Sequence, residues 1–228
     1  MNVAIIAAAG QGARIGGNRA KQFLELSGTP ILFHTLRPFE QCDEIQETIV
    51  VLPAAETSGF LSVAEKRGLR KLARVVVGGA TRAESVLRGL QSIRAVTAEI
   101  VTIHDGVRPF VTADEISRTV SAAREHGAAV LVGTVTDTIK EMDGPLVVRT
   151  LDRSRLRRAL TPQCFRFELL RRAYESVDVT DPSVTDESVL VERLGGKVVA
   201  VEGSSRNIKI TSREDLAIGE ALLKLDAG

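Results

Sequence analysis

The sequence is poor in cysteine, in excess charge of either sign and in long apolar runs. Cys42 and Cys164 are its two cysteines, and neither lies in a metal-binding or redox motif. With 30 basic and 29 acidic residues the net charge is +1, so no overall field attracts nucleic acid or a membrane surface. No apolar run approaches the roughly 20 residues of a spanning helix, and no basic signal-peptide segment precedes the first apolar residues. We therefore expect a cytoplasmic protein with reduced thiols, with neither nucleic acid nor a membrane as partner.

Short β-branched segments alternate with amphipathic segments as far as Gly133. Strands are predicted at 3–9, 45–52, 73–77, 100–103 and 128–132. Helices are predicted between them: one at 31–42 opened by Thr29-Pro30, a polar one to about residue 68, and two opened by the capping boxes Thr81-x-x-Glu84 and Thr112-x-x-Glu115. This alternation predicts a single α/β domain over residues 1–228, built on one doubly wound, mostly parallel, Rossmann-like sheet.

The alternation stops after Gly133. Segments 134–142 and 146–151 flank Asp143-Gly144, which predicts a protruding β-hairpin arm at about 134–152. An isolated two-stranded hairpin is marginally stable in water, so the arm either packs on a second subunit or folds back onto its own domain. The remaining elements are predicted as a basic helix at 152–160, helices at 167–177 and 185–194, strands at 197–201 and 207–210, and a last helix opened by Ser212 with Asp215.

The loop after the first strand combines glycines with cations: Gly10, Gly12, Gly16 and Gly17 with Arg14, Arg19 and Lys21. Glycine lets backbone amides approach a ligand closely, and fixed positive charge suits a polyphosphate. A basic surface turn is the alternative. A position directly after the first strand of a parallel sheet favours phosphate binding.

The loop matches neither of two common phosphate-binding patterns. Gly12 and Gly17 have Walker A spacing, but Asn18-Arg19 follows instead of Lys and Ser or Thr. The dinucleotide pattern needs glycine where this chain has Ile15, and the second strand ends without an acidic residue for a ribose, which disfavours a nicotinamide-dependent dehydrogenase. Nucleophilic and zinc hydrolases are also disfavoured, because the sequence shows no Cys–His, Ser–His–Asp or metal-ligand cluster.

Two further strand ends carry candidate site residues. After the third strand, Arg82 and Ser85 suit a base edge or a ribose, with an ordinary capped turn as the alternative. After the fourth, Asp105 suits either Mg²⁺ between phosphate oxygens or a structural role in its loop, and Arg108 either reaches a ligand or pairs with Asp105. His104 is interpreted as a core or hydrogen-bonded histidine rather than a general base. Because ligands bind beyond the carboxyl ends of parallel strands, we expect these loops to converge.

Ordered motifs extend from the first loop to the last helix. They are Ala8-Ala9-Gly10-x-Gly12-x-Arg14 with Lys21-Gln22, Gly78-Gly79 with Arg82-x-x-Ser85-Val86, His104-Asp105-x-x-Arg108-Pro109, Asp137-Thr138-x-Lys140, Asp152-Arg153, Thr161-Pro162-Gln163, Thr185-Asp186-Glu187 and Asn207-Ile208-Lys209. Together they resemble the 2-C-methyl-D-erythritol 4-phosphate cytidylyltransferases of the non-mevalonate isoprenoid pathway, a family of nucleotidyltransferases that activate polyol phosphates. Ala20 departs from the family, which usually has proline before the lysine.

The resemblance implies roles for the matched residues. Arg14 and Lys21 would stabilise the transition state, and Asp105 would hold Mg²⁺. Arg153, Lys209 and, on the arm, Thr138 would position the polyol phosphate. CTP would be bound by Ala8, Ala9, Gly10, Gln11, Gly12, Gly79, Arg82, Ser85, Asp105, Gly106 and Arg108. The family forms a homodimer whose arm reaches into the partner's site, which suits a hairpin that is marginal alone.

The implied reaction is attack by the polyol-phosphate oxygen on the α-phosphorus of CTP, with release of pyrophosphate. A phosphate monoester, whose second pKa is about 6, is largely dianionic at neutral pH, so the reaction needs no general base. Charge neutralisation by Lys21, Arg14 and a metal would then dominate catalysis. A ribitol 5-phosphate cytidylyltransferase and a non-catalytic nucleotide-binding module are the remaining alternatives, and no fused second domain is expected.

Overall fold

The computed structural model of the chain describes residues 1–10, 20–94, 98–181 and 183–226. Its strands, in chain order, are β1 (Asn2–Ala7), β2 (Glu25–Leu26), β3 (Thr29–Pro30), β4 (Glu47–Leu52), β5 (Leu72–Val77), β6 (Ile100–Asp105), β7 (Ala128–Thr134), β8 (Lys140–Asp143), β9 (Leu146–Thr150), β10 (Arg157–Arg166) and β11 (Val199–Glu202). Seven of them form one sheet in the order β11-β7-β10-β6-β1-β4-β5. Every neighbouring pair in it is parallel except those of β10, which runs antiparallel to β6 and β7. The prediction of a mostly parallel α/β sheet is confirmed.

Helices cover both faces of this sheet. They are α1 (Ile31–Gln41), α2 (Phe60–Lys66), α3 (Arg82–Gln91), α4 (Ala113–His126), α5 (Phe167–Glu175), α6 (Glu187–Arg193) and α7 (Arg213–Asp226). One core cluster joins the sheet to α1, α2 and α4, and a second joins it to α3, α5 and α6. Within the described ranges, no helix combines the length and apolar character needed to cross a membrane.

The central strand shows why the apolar run at the start of the chain becomes a buried strand. In β1, Ala4 and Ile6 belong to one core cluster, whereas Val3 and Ile5 belong to the other, and all four are fully buried. Successive side chains of a strand point to opposite faces, so a strand covered on both faces must be apolar at every position.

The helix ends follow the signals in the sequence. Thr112 caps α4 through a complete capping box with Glu115, and Gly127, with φ of 95°, ends that helix. The Thr81 hydroxyl caps α3 by accepting from the Glu84 amide at 3.0 Å. These caps satisfy backbone groups that the first and last turns leave without partners, which is why the boundaries could be predicted.

The predicted basic helix at 152–160 is wrong. A single 3₁₀ turn, Arg153–Arg155, leads into the long strand β10, whose register shifts between Ala159 and Gln163. The first residues of β10 are exposed and charged, but residues 160–165 lie buried between β6 and β7. Pairing with two neighbours decides the conformation here, and it overrides the local helical pattern.

Two smaller predictions are also wrong. Thr29-Pro30 does not open α1 as cap and first residue; it forms β3, which pairs with β2, and Pro30 precedes the helix without a side-chain cap. Residues 207–210 form no strand. They are held by isolated hydrogen bonds rather than by a ladder with another strand; for example, the Ile210 amide donates to the Val107 carbonyl at 2.9 Å.

The predicted hairpin is present as β8 and β9, joined at Gly144, whose φ is 51°. Every residue of both strands is exposed. Within this one chain the hairpin therefore buries neither of its faces.

Candidate active site

A cavity of about 500 Å³ lies where the carboxyl ends of β1, β5 and β6 meet. Its lining includes nine of the residues predicted from sequence: Ala8, Ala9, Gly10, Lys21, Gly79, Arg82, Ser85, Asp105 and Lys209. Parallel strands present their carboxyl ends at one edge of the sheet, and the loops that follow them make the cavity.

The other predicted site residues fall into three groups. Gln11, Gly12 and Arg14 fall outside the described residues. Gly106 and Arg108 lie beside the lining, on either side of Val107. The structure brings neither Thr138, on the arm, nor Arg153, just after it, to this cavity. Both are exposed, and the Arg153 guanidinium donates to the Thr136 carbonyl at the base of the arm.

Lys21 is placed at the cavity by its neighbours. The buried Gln22 side chain donates through Nε2 to the Ala8 carbonyl at 2.5 Å, which ties the segment to the end of β1. Phe23 packs edge-on against Phe60, with ring centroids 6.2 Å apart. Gln22 and Phe23 thus anchor the 3₁₀ turn Lys21–Phe23, and the ammonium group of Lys21 lies at the cavity wall.

The wall formed after β5 is shaped by Ser85. Its hydroxyl donates to the Thr81 carbonyl at 2.8 Å and accepts from the Gly79 amide at 3.0 Å. Gly78 lies so close to the β1 loop that a Cβ there would be 2.1 Å from the Ala9 Cβ. A side chain at this position would separate the two loops, which explains the glycine.

The loop after β6 lies equally close. A Cβ on Gly106 would be 2.6 Å from the Ala8 Cβ, and the Gly106 amide donates to the Ala7 carbonyl at 2.9 Å. This contact brings the Asp105 side chain, at the last position of β6, into the cavity.

Asp105 is surrounded by cations. Its Oδ1 lies 3.0 Å from the Arg82 Nε, and its Oδ2 lies 2.9 Å from the Lys209 Nζ and 3.4 Å from the Arg108 Nε. Burial alone would raise the pKa of Asp105, but the charges of Arg82, Lys209 and Arg108 outweigh it and hold the pKa well below its usual range. The carboxylate is therefore ionised at neutral pH and organises the cations around it.

Glu187 is a site residue to which the sequence assigned no role. Its carboxylate is fully buried, accepts from the Arg82 Nη1 at 2.8 and 2.9 Å, and accepts from the Tyr174 hydroxyl at 3.0 Å. Burial lowers the pKa of Arg82, but the negative charges of Glu187 and Asp105 raise it above its ordinary value. Arg82 is thus a permanent cation, fixed between two carboxylates.

The motif containing Glu187 could be read from the sequence, but its partner could not. Gln163 supports the motif: its Oε1 accepts from the backbone amides of Glu187 and Ser188 at 3.1 Å, and its Nε2 donates to Asp186 at 2.9 Å. The separation of 105 residues between Arg82 and Glu187 hides this pair from any local pattern.

Lys209 reaches the cavity through contacts of the segment before α7. The Arg108 Nη1 donates to the Asn207 carbonyl, and the Asn207 Nδ2 donates to the Thr161 carbonyl, both at 2.9 Å. From residue character alone Lys209 is an ordinary surface lysine. The fold instead brings its ammonium group to Asp105.

His104 has the buried, hydrogen-bonded position that was predicted. Its Nε2 donates to the Arg108 carbonyl at 3.1 Å, so its Nδ1 accepts from the Thr161 hydroxyl at 2.9 Å. Burial lowers the pKa of His104 to about 4. The imidazole is neutral at pH 7 with both nitrogens occupied, so it supports the loop and takes no proton from a substrate.

Cations outnumber carboxylates in this region. The described cations are Lys21, Arg82, Arg108 and Lys209, and the carboxylates within it are Asp105 and Glu187. A concave site with a positive excess and backbone close to its floor is suited to a polyphosphate and to charge neutralisation during phosphoryl chemistry.

Known proteins resemble this chain along nearly its whole length. The family model for 2-C-methyl-D-erythritol 4-phosphate cytidylyltransferase matches residues 2–225. Proteins of that name from Geobacter metallireducens and Bacillus velezensis are each 42% identical, over 97% and 99% of this chain and 97% of each relative.

Solved structures agree. The 4-diphosphocytidyl-2C-methyl-D-erythritol synthase of Anaerococcus prevotii superposes with a TM-score of 0.85 at 33% identity over 98% of both chains. The 2-C-methyl-D-erythritol 4-phosphate cytidylyltransferase of Thermus thermophilus gives 0.78 at 33% identity, over 97% of this chain and 98% of its own. Sequence and structure together place this chain in the 2-C-methyl-D-erythritol 4-phosphate cytidylyltransferase family.

Proposed function

We propose that the protein transfers a cytidylyl group from CTP to 2-C-methyl-D-erythritol 4-phosphate and releases pyrophosphate. The product is 4-diphosphocytidyl-2-C-methyl-D-erythritol, an intermediate in isoprenoid synthesis. The observation that carries the proposal is the cation-lined cavity at the carboxyl edge of the sheet, in a chain that belongs to this family.

The chemistry follows from charge. The acceptor phosphate is largely dianionic at neutral pH and attacks the α-phosphorus without a base, so a neutral, fully bonded His104 is no obstacle. The barrier lies in bringing two polyanions together. Lys21 and Arg14 are proposed to lower it and to neutralise the departing pyrophosphate; for Arg14 the support is the family motif alone.

The nucleotide is proposed to bind against the β1 and β5 loops. Ala8, Ala9, Gly10 and Gly79 bring backbone to the cavity, and the same role for Gln11, Gly12, Ser85 and Gly106 rests on the family motifs. The guanidinium of Arg82, held by Asp105 and Glu187, supplies a fixed positive charge beside them. A rigid donor loses little freedom when the ligand arrives.

Mg²⁺ is proposed to bind together with CTP. Asp105 is the one carboxylate among the described lining residues, and one carboxylate plus substrate phosphates is a common way for proteins to hold this ion. Both of its oxygens already accept from cations, so the ion would share Asp105 with Lys209 or Arg82. When bound, Mg²⁺ would neutralise phosphate charge.

The acceptor is proposed to bind at Lys209, with contributions from a second chain: Thr138 on its arm and Arg153 just after the arm. Thr138 and Arg153 are both exposed and lie outside the cavity lining of their own chain. On the arm itself Leu146, Val147 and Val148 are 70%, 57% and 58% exposed. An apolar surface of this kind favours burial against a partner, which supports a homodimer built through the arm. The cytoplasmic location stays a prediction.

Pyrophosphate release tests the function. The protein is mixed with 2-C-methyl-D-erythritol 4-phosphate and each nucleoside triphosphate in turn, and then with CTP and ribitol 5-phosphate. We expect release with CTP and the methylerythritol phosphate. Release with ribitol 5-phosphate alone would assign the other polyol, and CTP binding without release from any acceptor would contradict an enzymatic role.

A further inference from the structure

The start of β10 lies at the same sheet edge as the cavity. In the antiparallel pair with β7, Arg158 is opposite Gly133 and Arg157 is opposite Thr134, at the carboxyl end of β7. The pairing of β10 with β6 begins only at Gln163, opposite Ile103. Residues 157–158 therefore extend beyond β6, on the side of Asp105 that faces β7 and β11 and away from the nucleotide loops.

Gly133 makes room for the Arg158 side chain. A Cβ on Gly133 would lie 3.2 Å from the Arg158 Nη2 and 3.3 Å from the Leu160 Cδ1, so the guanidinium and this leucine both rest against bare backbone. The neighbouring Arg157 points to the other face, as strand geometry requires, and pairs with Glu202 at 2.8 Å. Two adjacent arginines thus have different surroundings.

Arg158 lies close to a second arginine. The Arg108 Nη1 donates to the Asn207 carbonyl at 2.9 Å, and the Asn207 Nδ2 donates to the carbonyl of Thr161 on β10, three residues beyond Arg158. Burial lowers the pKa of Arg108, and the positive charge of Arg158 is among the charges that lower it further. In the described parts of the chain, no carboxylate pairs with Arg158. Two guanidinium groups that repel each other, and that share no carboxylate, form a place where an anion is stabilised.

The two oxygens of Asp105 divide the cations into two groups. Oδ1 pairs with Arg82, which follows β5. Oδ2 pairs with Arg108 and with Lys209, whose segment contacts β7 through the Gly203 amide and β10 through the Asn207 side chain. A site for two separate phosphate groups needs such a division, because each anion requires its own cations.

We propose that Arg158 binds the phosphate of the acceptor substrate, together with Arg108 and Lys209, and that Gly133 is glycine to let it do so. The assignment rests on the proposed function for the identity of the acceptor. A planar guanidinium donates two parallel hydrogen bonds to a phosphate, which fixes the orientation of the attacking oxygen as well as its charge.

Steady-state kinetics with the full-length protein test the proposal. In Arg158→Ala we expect the KM for 2-C-methyl-D-erythritol 4-phosphate to rise by about 10- to 100-fold, as for loss of a charged hydrogen bond, with the KM for CTP unchanged. Arg158→Lys should recover part of this loss. Arg157→Ala is the matched control: it removes the same charge from the next residue and should leave both KM values unchanged.

A second measurement does not depend on turnover. Inorganic phosphate is titrated calorimetrically into the protein saturated with CTP, and its affinity should fall in Arg158→Ala but not in Arg157→Ala. Gly133→Ala keeps every charge but displaces the guanidinium, so phosphate affinity should fall by less than in Arg158→Ala. An inactive wild type would refute the proposed reaction, while this titration would still decide the phosphate site.

Three results would overturn the proposal. One is an equal rise of both KM values, which would assign Arg158 to the nucleotide. Another is that Arg157→Ala raises the KM for the acceptor as much as Arg158→Ala does, which would attribute the change to overall charge. The last is that sedimentation shows the Arg158→Ala variant to be a monomer where the wild type is a dimer. Arg158 would then be a contact with the partner's arm.

Discussion

The cavity and the hairpin arm are both proposed to contact substrate, yet they are built in opposite ways. At the cavity, Asp105 and Glu187 are 6% and 0% exposed and each side chain has defined partners. On the arm, both strands are exposed along their whole length. From this difference we expect the nucleotide side to be organised mainly within one chain, whereas the acceptor side should draw in part on a second chain.

The physical reason for this contrast is the free-energy cost of holding a charged side chain in one position. Ion pairs in a buried network are fixed by packing before a ligand arrives, so they stabilise a transition state without reorganisation. Exposed side chains on a two-stranded ribbon have no such support, because a hairpin alone is marginally stable. The predictions below test this contrast, from the largest effect on activity to the smallest.

Lys21→Ala should have the largest effect. The cavity loses a cation proposed to act on the transferring group, so turnover should fall by about 100- to 1,000-fold. The free energy of unfolding, from urea titration, should stay unchanged, since Gln22 and Phe23 anchor the turn. Lys66→Ala, at the exposed end of α2, is the control and should be fully active. Near-wild-type turnover of Lys21→Ala would remove the central role given to this lysine.

Carboxylates introduced on the arm should impair the acceptor side of the site and leave the nucleotide side unchanged. Leu146→Asp with Val148→Asp places two carboxylates on one face of β9 and should give a monomer by sedimentation equilibrium. Turnover should fall by about 100-fold, because the partner's Thr138 and the partner's Arg153 would no longer reach the acceptor, while CTP affinity stays unchanged. Val63→Asp, on the exposed surface of α2, is the control. A fully active monomer would show that the arm supplies nothing to the reaction.

Glu187→Gln should weaken CTP binding indirectly, through the loss of a carboxylate that holds Arg82. It removes the charge of the fully buried member of the pair and leaves the half-buried Arg82 with one carboxylate, so the free energy of unfolding should fall by about 3 kcal/mol. The affinity for CTP, by calorimetry, should fall as well, since Arg82 loses its fixed position. Asp114→Asn breaks the exposed Arg118–Asp114 pair and should cost less than about 1 kcal/mol. Equal costs for the two variants would refute the contrast between buried and exposed pairs.

His104 should affect stability but not activity. Its pKa is lowered by burial to about 4 in the fold, from an ordinary 6.5, so between these values the unfolded chain binds a proton that the folded chain does not. Its contribution is therefore present above pH 6.5 and is lost as the pH falls towards 4, by up to about 3 kcal/mol. Urea titrations at neutral and acidic pH measure this loss. His104→Gln should remove it, whereas replacing the exposed His126 should not.

Much of the fold could be predicted because its signals are local. The apolar run of β1, the Thr112 cap of α4 and the Gly127 stop depend on residues within a few positions of one another. The prediction for β10 failed for the opposite reason: its first residues are charged, and only the pairing with β6 and β7 makes it a strand. The domain prediction, one domain over 1–228, stays a prediction.

The candidate site divides in the same way. The sequence by itself determined which loops follow which strands, the order of the family motifs and the chemical types at the cavity: glycine, lysine, arginine and one aspartate. Only the tertiary structure decided the partners, namely Glu187 behind Arg82, Lys209 on Asp105 and Arg158 against Gly133. A charge pair acts over a few ångströms in space but leaves no trace in the sequence when its members are far apart along the chain, so packing alone brings them together.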